Sequence, residues 1–87
     1  MIAVYIHLGS NTVVNIKEVI AIIDMDKTTT SKNTRDFLTY AQKNGYVINV
    51  SDELPKSAVI CNSKGKNRVY ISPISPATLH GRYFRDK

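Results

Sequence analysis

The start of the chain alternates between apolar and other residues. From Ile2 to Leu8 every second residue is aliphatic, and this period of two predicts a half-buried β-strand. Residues 9–11 are Gly, Ser and Asn, which favour a turn, and the strand-forming residues 12–14 follow. The segment therefore predicts a β-hairpin.

A continuous apolar run from Val19 to Ile23 predicts a strand with two apolar faces. Asn15, followed three residues later by Glu18, is the pattern of a capped helical turn just before that strand. Because a strand that is apolar on both faces is normally covered on both sides, we expect a neighbouring subunit to supply one of the covers in so small a chain.

The spacing of apolar residues predicts one prominent helix over about residues 32–43. Residues 24–33 before it are mainly polar, as in an exposed loop, and either Ser31 or Asn33 can cap the helix. Gly45 is positioned to end it. The residues predicted to share its apolar face are Phe37, Leu38 and Ala41.

The second half of the chain returns to strand patterns. Residues 46–50 predict a strand, and Pro55 predicts that the next one begins at about Lys56. Strands over 56–61 and 68–72 flank residues 62–67, which predict a hairpin with a long basic tip. The elements predict a single α+β domain over residues 1–87, with about six mostly antiparallel strands.

A short C-terminal helix is predicted to begin at Ser75-Pro76, where serine is an N-cap and proline takes the first helical position. It should run to about Tyr83. Leu79 and Tyr83 are four residues apart, so they share one face and are expected to dock the helix.

The size and composition of the chain limit where and how it works. A chain of 87 residues buries a modest fraction of its surface, so we expect a homo-oligomer to add stability. The single cysteine, Cys61, cannot form an intramolecular disulfide and favours a reducing compartment. No segment has the pattern of a signal peptide or of a membrane span. We expect a cytoplasmic protein.

Positive charge is concentrated at the C-terminal end. Residues 56–87 hold seven of the twelve Lys and Arg residues and one acid, a net charge of +6, whereas residues 1–55 have a net charge of −1. A basic surface of this size attracts polyanions, nucleic acid first and an anionic membrane surface second. The plain alternative is a solvated basic tail that improves solubility.

The residues suited to catalysis or metal binding are few. Asp24 and Asp26 offer too few oxygens for Mg²⁺ or Ca²⁺, and they fit a solvated loop better. His7 and His80 have no second ligand nearby in sequence, and Cys61 has no neighbouring base. We therefore expect no enzymatic activity, no metal and no cofactor.

The basic residues are the more informative candidates. Lysines and an arginine lie on and beside the predicted hairpin, and two arginines lie in the terminal helix, where they can reach phosphates. Tyr83 and Phe84 are interleaved with the last of these, but packing is the favoured role for both over stacking on bases. The predicted nucleic-acid contacts are Lys56, Lys64, Lys66, Arg68, Arg82 and Arg85.

Several stretches resemble the extracellular matrix regulatory proteins of Gram-positive bacteria, the RemA/RemB family, and the match is closer to the RemB branch. They are residues 5–9, 13–24, 56–60 and, most specifically, Tyr-Ile-Ser-Pro-Ile-Ser-Pro-Ala-Thr-Leu at 70–79. The resemblance implies a small α+β domain assembled into a ring-like homo-oligomer that presents repeated basic surfaces to DNA. In the RemA branch the ring activates genes for biofilm matrix and osmoprotection.

The chain also departs from that family at positions that matter for function. The resemblance implies DNA-contacting arginines just before the third strand and in a turn near residues 52–57, but Glu18 and mostly non-cationic residues stand there, with Lys56 the exception. The leading hypothesis is a DNA-binding transcriptional regulator. The alternatives are an oligomeric protein-interaction module that regulates through a partner, and an RNA-binding protein.

Overall fold

The computed structural model of the protein describes residues 4–25 and 31–86, with the side chains of all of these except residues 83–86. Two helices and six strands make up this part of the chain, which confirms the α+β class. The helices are α1 (Lys32–Lys43) and α2 (Pro76–Asp86). The strands are β1 (Tyr5–Gly9), β2 (Thr12–Asn15), β3 (Val19–Asp24), β4 (Val47–Asn49), β5 (Ser57–Ser63) and β6 (Lys66–Ser72).

The strands form two sheets. The predicted N-terminal hairpin is confirmed as the antiparallel pair β1–β2, and the larger sheet has the order β3-β5-β6-β4. Its pairs are antiparallel except β4 and β6, which run parallel because α1 and a loop return the chain to the same end of the sheet. β3 and β4 are therefore the edge strands of the larger sheet.

The larger sheet separates two apolar clusters, because neighbouring residues on a strand point to opposite faces. Ala58 of β5 packs with Ala41 of α1 on one face. Val59, its neighbour, packs on the other face with Ile6 of β1 and Leu79 of α2. The sheet is thus covered by α1 on one side and by the β1–β2 hairpin with α2 on the other.

The predicted caps are confirmed. Asn15 caps a single 3₁₀ turn, Ile16–Glu18, through a bond of 2.9 Å from the Lys17 amide to Asn15 Oδ1. Of the two candidate caps of α1, Ser31 is the one used, and its Oγ accepts from the Thr34 amide at 3.2 Å. Gly45 follows the end of that helix with a φ of +74°, a conformation that glycine adopts without steric cost.

The C-terminal helix also begins as predicted. Ser75 Oγ accepts from the Thr78 amide at 3.2 Å, and Pro76 is the first helical residue. The helix extends to Asp86, three residues beyond the predicted end. Leu79 is fully buried, as expected of a docking residue, while the side chain of Tyr83 lies outside the described residues.

The prediction of a long loop at residues 62–67 is wrong. β5 and β6 stay paired to Ser63 and Lys66, so only Lys64 and Gly65 form the turn, with φ values of +53° and +82°. Positive φ at both positions is the geometry of a tight two-residue hairpin turn. The prediction failed because asparagine favours loops, whereas Asn62 and Asn67 here pair across the ladder and share a side-chain bond of 2.8 Å.

Candidate nucleic-acid interface

The β5–β6 hairpin brings three of the predicted cationic residues together. Lys64 lies in the turn, and Lys66 and Arg68 are the first and third residues of β6. All three are exposed. Side chains alternate along a strand, so Lys66 and Arg68 lie on the same face, which is the face of the sheet that also carries Tyr70.

A groove runs beside this hairpin at the start of β4. Both cations of β6 lie in its walls, and none of its lining residues is acidic. Gly65 does not narrow the groove, because it has no side chain. Sequence reasoning missed one member of the groove, Tyr46, because its apolar neighbours marked it only as a strand residue. The lining residues are Gly45, Tyr46, Ile48, Gly65, Lys66, Asn67 and Arg68.

Tyr46 is held partly by a second aromatic ring. Its ring centroid lies 6.3 Å from that of Tyr40 in α1, at an interplanar angle of 60°, which is an edge-on contact. Its backbone amide donates to Ala41 and its carbonyl accepts from Val69. The phenol therefore stands at a fixed place beside the cations while a third of its surface stays in contact with solvent.

Lys56 lies far from this group. It precedes β5, at the end of the strand opposite to the turn, and eight residues of extended chain put it roughly 25 Å from Lys64. Its backbone is fixed by bonds to Ser72 and Met25, and its side chain is exposed. Lys56 is therefore a separate cation and not a member of the groove.

Arg82 of α2 is also separate from the groove. Arg82 Nη1 donates to the carbonyl of His7 at 2.8 Å, so its guanidinium joins α2 to the β1–β2 hairpin. The side chain of Arg85, like those of Tyr83 and Phe84, lies outside the described residues. The structure thus groups three of the six predicted cations, and it shows Arg82 in a hydrogen bond within the fold.

Two of the candidate catalytic residues, His7 and Cys61, have surroundings that the structure describes. His7 is exposed, and its Nε2–H donates to the Ser10 carbonyl at 2.7 Å. Burial, with a smaller contribution from Glu18, raises the pKa of the Cys61 thiol to about 11, so it stays protonated near neutral pH. Among the described residues no three His, Cys, Asp or Glu side chains are close enough to hold a metal ion; Asp26 lies outside them.

Two buried serines, Ser72 and Ser57, join the segment 70–79 to the rest of the fold. Ser72 Oγ is buried and donates to the carbonyl of Leu8 at 2.6 Å, which ties the β1–β2 hairpin to the larger sheet. Ser57 Oγ, also buried, donates to the carbonyl of Ile74 at 2.8 Å. With Ser75 capping α2, this most distinctive stretch of the sequence has an architectural role.

Comparison with known protein families gives a match over most of the chain. A family model described as RemA-like, extracellular matrix regulatory protein A-like, matches residues 5–83. That range begins with β1 and ends within α2, so it includes every strand described above. The match does not separate a RemA from a RemB branch. A comparison with curated proteins gave no match.

Proposed function

The chain belongs to the RemA-like family of matrix regulatory proteins, and we propose that it is a DNA-binding transcriptional regulator that acts, without catalysis, as a ring-like homo-oligomer on biofilm matrix genes. The β5–β6 hairpin would supply the main phosphate contacts through Lys64, Lys66 and Arg68. Weaker phosphate contacts, or long-range attraction of DNA, would come from Lys56, Arg82 and Arg85.

The observation that carries the proposal is the position of Lys64. The left-handed conformation at the first turn residue is favoured by Asn, Asp and Gly, and it is unfavourable for a lysine. A cation held there projects from the end of the hairpin, where it can approach a phosphate without meeting the body of the protein. Lys66 and Arg68 continue the same basic surface, and the groove beside them has no acidic residue in its walls.

Assembly would make this small surface effective. A few cations per subunit bind DNA weakly, but several copies in one ring contact one duplex together and raise the affinity by multivalency. The described surface offers apolar residues for assembly, since Ile20 on the β3 edge is 62% exposed and Tyr5 and Val13 lie exposed on the outer face of β1–β2.

The proposed contacts differ from those that the family resemblance implies. Glu18 ends the 3₁₀ turn before β3, and Asp52 and Glu53 are exposed in the loop after β4. Acidic residues at these places repel phosphate. Within the described residues the hairpin groups three cations, so it would replace the missing arginines.

A direct test removes the hairpin charges while keeping the turn conformation. In the variant Lys64→Asn/Lys66→Gln/Arg68→Gln, we expect weaker binding to duplex DNA of any sequence. The logarithm of affinity should also fall less steeply with the logarithm of salt concentration, by about 0.9 for each lost phosphate contact. Fluorescence anisotropy at several salt concentrations measures both quantities.

The matched control is Lys17→Gln/Lys32→Gln/Lys43→Gln, which removes the same charge from exposed positions elsewhere. Equal losses in both variants would mean that net charge alone drives binding and would reject the hairpin interface. Single-stranded RNA of equal length, bound more tightly than the duplex, would favour the RNA-binding alternative.

The second candidate function is an oligomeric protein-interaction module that regulates through a protein partner. The exposed apolar residues Tyr5 and Val13 favour it, because such side chains on one sheet face can contact a protein as well as another subunit. If the parent protein fails to bind DNA even at about 50 mM salt, where phosphate contacts are strong, this candidate replaces DNA binding.

A further inference from the structure

The edge strand β4 has hydrogen-bonding groups directed away from the sheet. The Tyr46 carbonyl and the Val50 amide both bond to β6. The backbone groups of a strand point alternately to its two sides, so the amides and carbonyls of Val47 and Asn49 point outward. In the described part of the chain, β4 is the last strand on this side of the sheet.

The side chains of β4 do not protect this edge. Sheet edges are usually protected by lysine, proline, a bulge or a very short strand, and of these β4 has only its short length of three residues. The central residue of β4 is instead Ile48, which is 38% exposed. The other edge of the sheet, β3, does have an irregularity between Val19 and Ala21.

The two ends of β4 carry opposite charges. At its start lies the groove with Lys66 and Arg68. Past its end, a second groove is lined by Asp52 and Glu53, together with Ser10 and residues 49–51. The charge along this edge therefore changes from positive to negative in the direction of the strand.

We propose that β4 pairs with β4 of a second copy of this chain, antiparallel, around a two-fold axis at Ile48. In this register Val47 of each copy lies opposite Asn49 of the other. The outward groups of these residues then form four hydrogen bonds. Ile48 lies opposite itself, as a non-hydrogen-bonded pair whose side chains are close together.

The charges select the antiparallel arrangement. Two-fold pairing puts the basic end of each strand against the acidic end of the other, so Arg68 and Lys66 of one copy approach Asp52 and Glu53 of the second. A parallel pairing would put like charges together, which is unfavourable. One surface that carries both charges is in this way complementary to itself, as a two-fold contact requires.

The proposed contact would be one of two contacts in a larger assembly, and this part rests on the proposed assembly. β4 and β3 lie at opposite edges of one sheet. If Ile20 and its surroundings on β3 form a second contact, the two kinds of contact alternate from subunit to subunit. Lys64 stays outside the β4 contact, because it lies in the turn, and keeps its proposed phosphate contact. Lys66 and Arg68, which the contact brings near acidic residues, would contribute less to DNA binding in a paired subunit than in an unpaired one.

Disulfide trapping tests the register. In Ile48→Cys, the two new cysteines would lie about 4.5 Å apart between Cα atoms, within the range of a disulfide. Mild oxidation should therefore give a covalent dimer on a non-reducing gel. In Tyr46→Cys, the matched control, the two positions are four residues apart along the pair, roughly 13 Å, and the dimer yield should be at least about tenfold lower.

The parent protein is a second control, since its Cys61 is buried and should not cross-link. Similar yields from Ile48→Cys and Tyr46→Cys, or no dimer from either, would overturn the proposal. Neither result affects the DNA-binding test above, which uses different residues and a different measurement.

Charge exchange tests the pairing of the two ends. The variants Lys66→Glu/Arg68→Glu and Asp52→Lys/Glu53→Lys each put like charges against like in a two-fold dimer, so each alone should self-associate at least about tenfold more weakly. Mixed together, the two variants have opposite charges at both ends of the contact and should form a heterodimer. Sedimentation velocity measures all three samples.

Recovery of association only in the mixture supports the two-fold contact, because a mere folding defect would persist there. A mixture that remains as weakly associated as its components would overturn it. Lys64 lies outside this contact, so the DNA affinity of Lys64→Asn reports on the proposed function separately from it.

Discussion

Two buried serine hydroxyls join separate layers of the molecule. Ser72 Oγ donates to Leu8 in the β1–β2 hairpin and accepts from the Ile74 amide at 3.1 Å. A buried polar group that loses its hydrogen-bond partner costs free energy. Removing one partner of either bond therefore destabilises the protein by more than the net contribution of that bond to stability. These two bonds explain why position 72 is a serine, although the alternation of β6 would also accept an aliphatic residue there.

Replacing Ser72 by alanine should therefore lower the free energy of unfolding by about 1–3 kcal/mol, because a buried carbonyl and amide lose their partner. Urea denaturation measures the change. Ser63→Ala, at the partly exposed end of β5, is the control and should stay within about 0.5 kcal/mol of the parent. A Ser72 variant as stable as the control would contradict this account of the segment 70–79.

Cys61 predicts a dependence of stability on alkaline pH. Burial, followed by the nearby Glu18 charge, raises the pKa of the folded thiol from 9.0 to about 11. Between these values the unfolded state loses its proton first, so the thiol's contribution to stability is fully present below pH 9 and is lost as pH rises to about 11.

The free energy of unfolding of the parent should thus fall more steeply than that of Cys61→Ala between pH 9 and 11. Urea denaturation of both proteins across this range isolates the thiol, since the other titrating groups are shared. Parallel curves would mean that the thiol has the same pKa in both states.

At the scale of elements, the β5–β6 hairpin depends on two residues with positive φ. A side-chain carbon added to Gly65, whose φ is +82°, would meet no atom within 4 Å, so only the backbone conformation restricts substitution there. Lys64 at +53° is a less favourable choice than asparagine. The residue that folding prefers at this turn position therefore differs from the lysine that the proposed phosphate contact requires.

The substitution Lys64→Asn should stabilise the protein by about 0.5 kcal/mol and weaken its binding to DNA. Gly65→Ala should instead destabilise it by about 1 kcal/mol and change DNA affinity little, since no charge is lost. Thermal denaturation and anisotropy on the same samples give both quantities. Unchanged DNA binding in Lys64→Asn would remove the turn lysine from the proposed interface.

At the scale of the whole molecule, the exposed apolar residues on β3 and on the outer face of β1–β2 are the surfaces through which the proposed assembly would form. Ile20 is the most exposed of the strand residues among the large apolar side chains described. Neighbouring Ile22 and Ile23 pack into the two clusters on opposite sides of the sheet. Both faces of β3 are thus covered within the chain, and in the proposed assembly a neighbouring subunit would cover only its edge.

The parent should form a closed oligomer of several subunits at micromolar concentration, and Ile20→Lys should lower its mass because a lysine cannot be buried there without cost. Size exclusion coupled to light scattering measures the mass in solution, which is compared with the 9.7 kDa of the monomer. Gln42→Lys on exposed α1 adds the same charge and should keep the parent's mass. A monomeric parent would remove both the ring and the multivalent binding that depends on it.

The described helices bear on whether the chain crosses a membrane. No helix within residues 4–25 and 31–86 is long and apolar enough to cross a membrane. The location of the protein in the cytoplasm stays a prediction from its sequence. Fractionation of cells that produce the full chain would test it directly.

The sequence by itself determined the elements that local physical chemistry controls. Strand alternation in β1, the serine caps at Ser31 and Ser75, and the glycine after α1 each depend on a few neighbouring residues, so each could be predicted. The grouping of Lys64, Lys66 and Arg68 was predictable for the same reason, because one hairpin carries all three. The family resemblance was carried by the segment 70–79.

Only the tertiary structure decided what depends on residues distant in sequence. Arg82 was predicted to contact phosphates, but its bond to His7 spans 75 positions, and no local pattern reveals such a bond. The parallel register of β4 with β6, which places Tyr46 beside the cations, likewise depends on where α1 returns the chain. The two charged ends of the β4 edge combine residues from separate loops and strands, and folding alone brings them onto one surface.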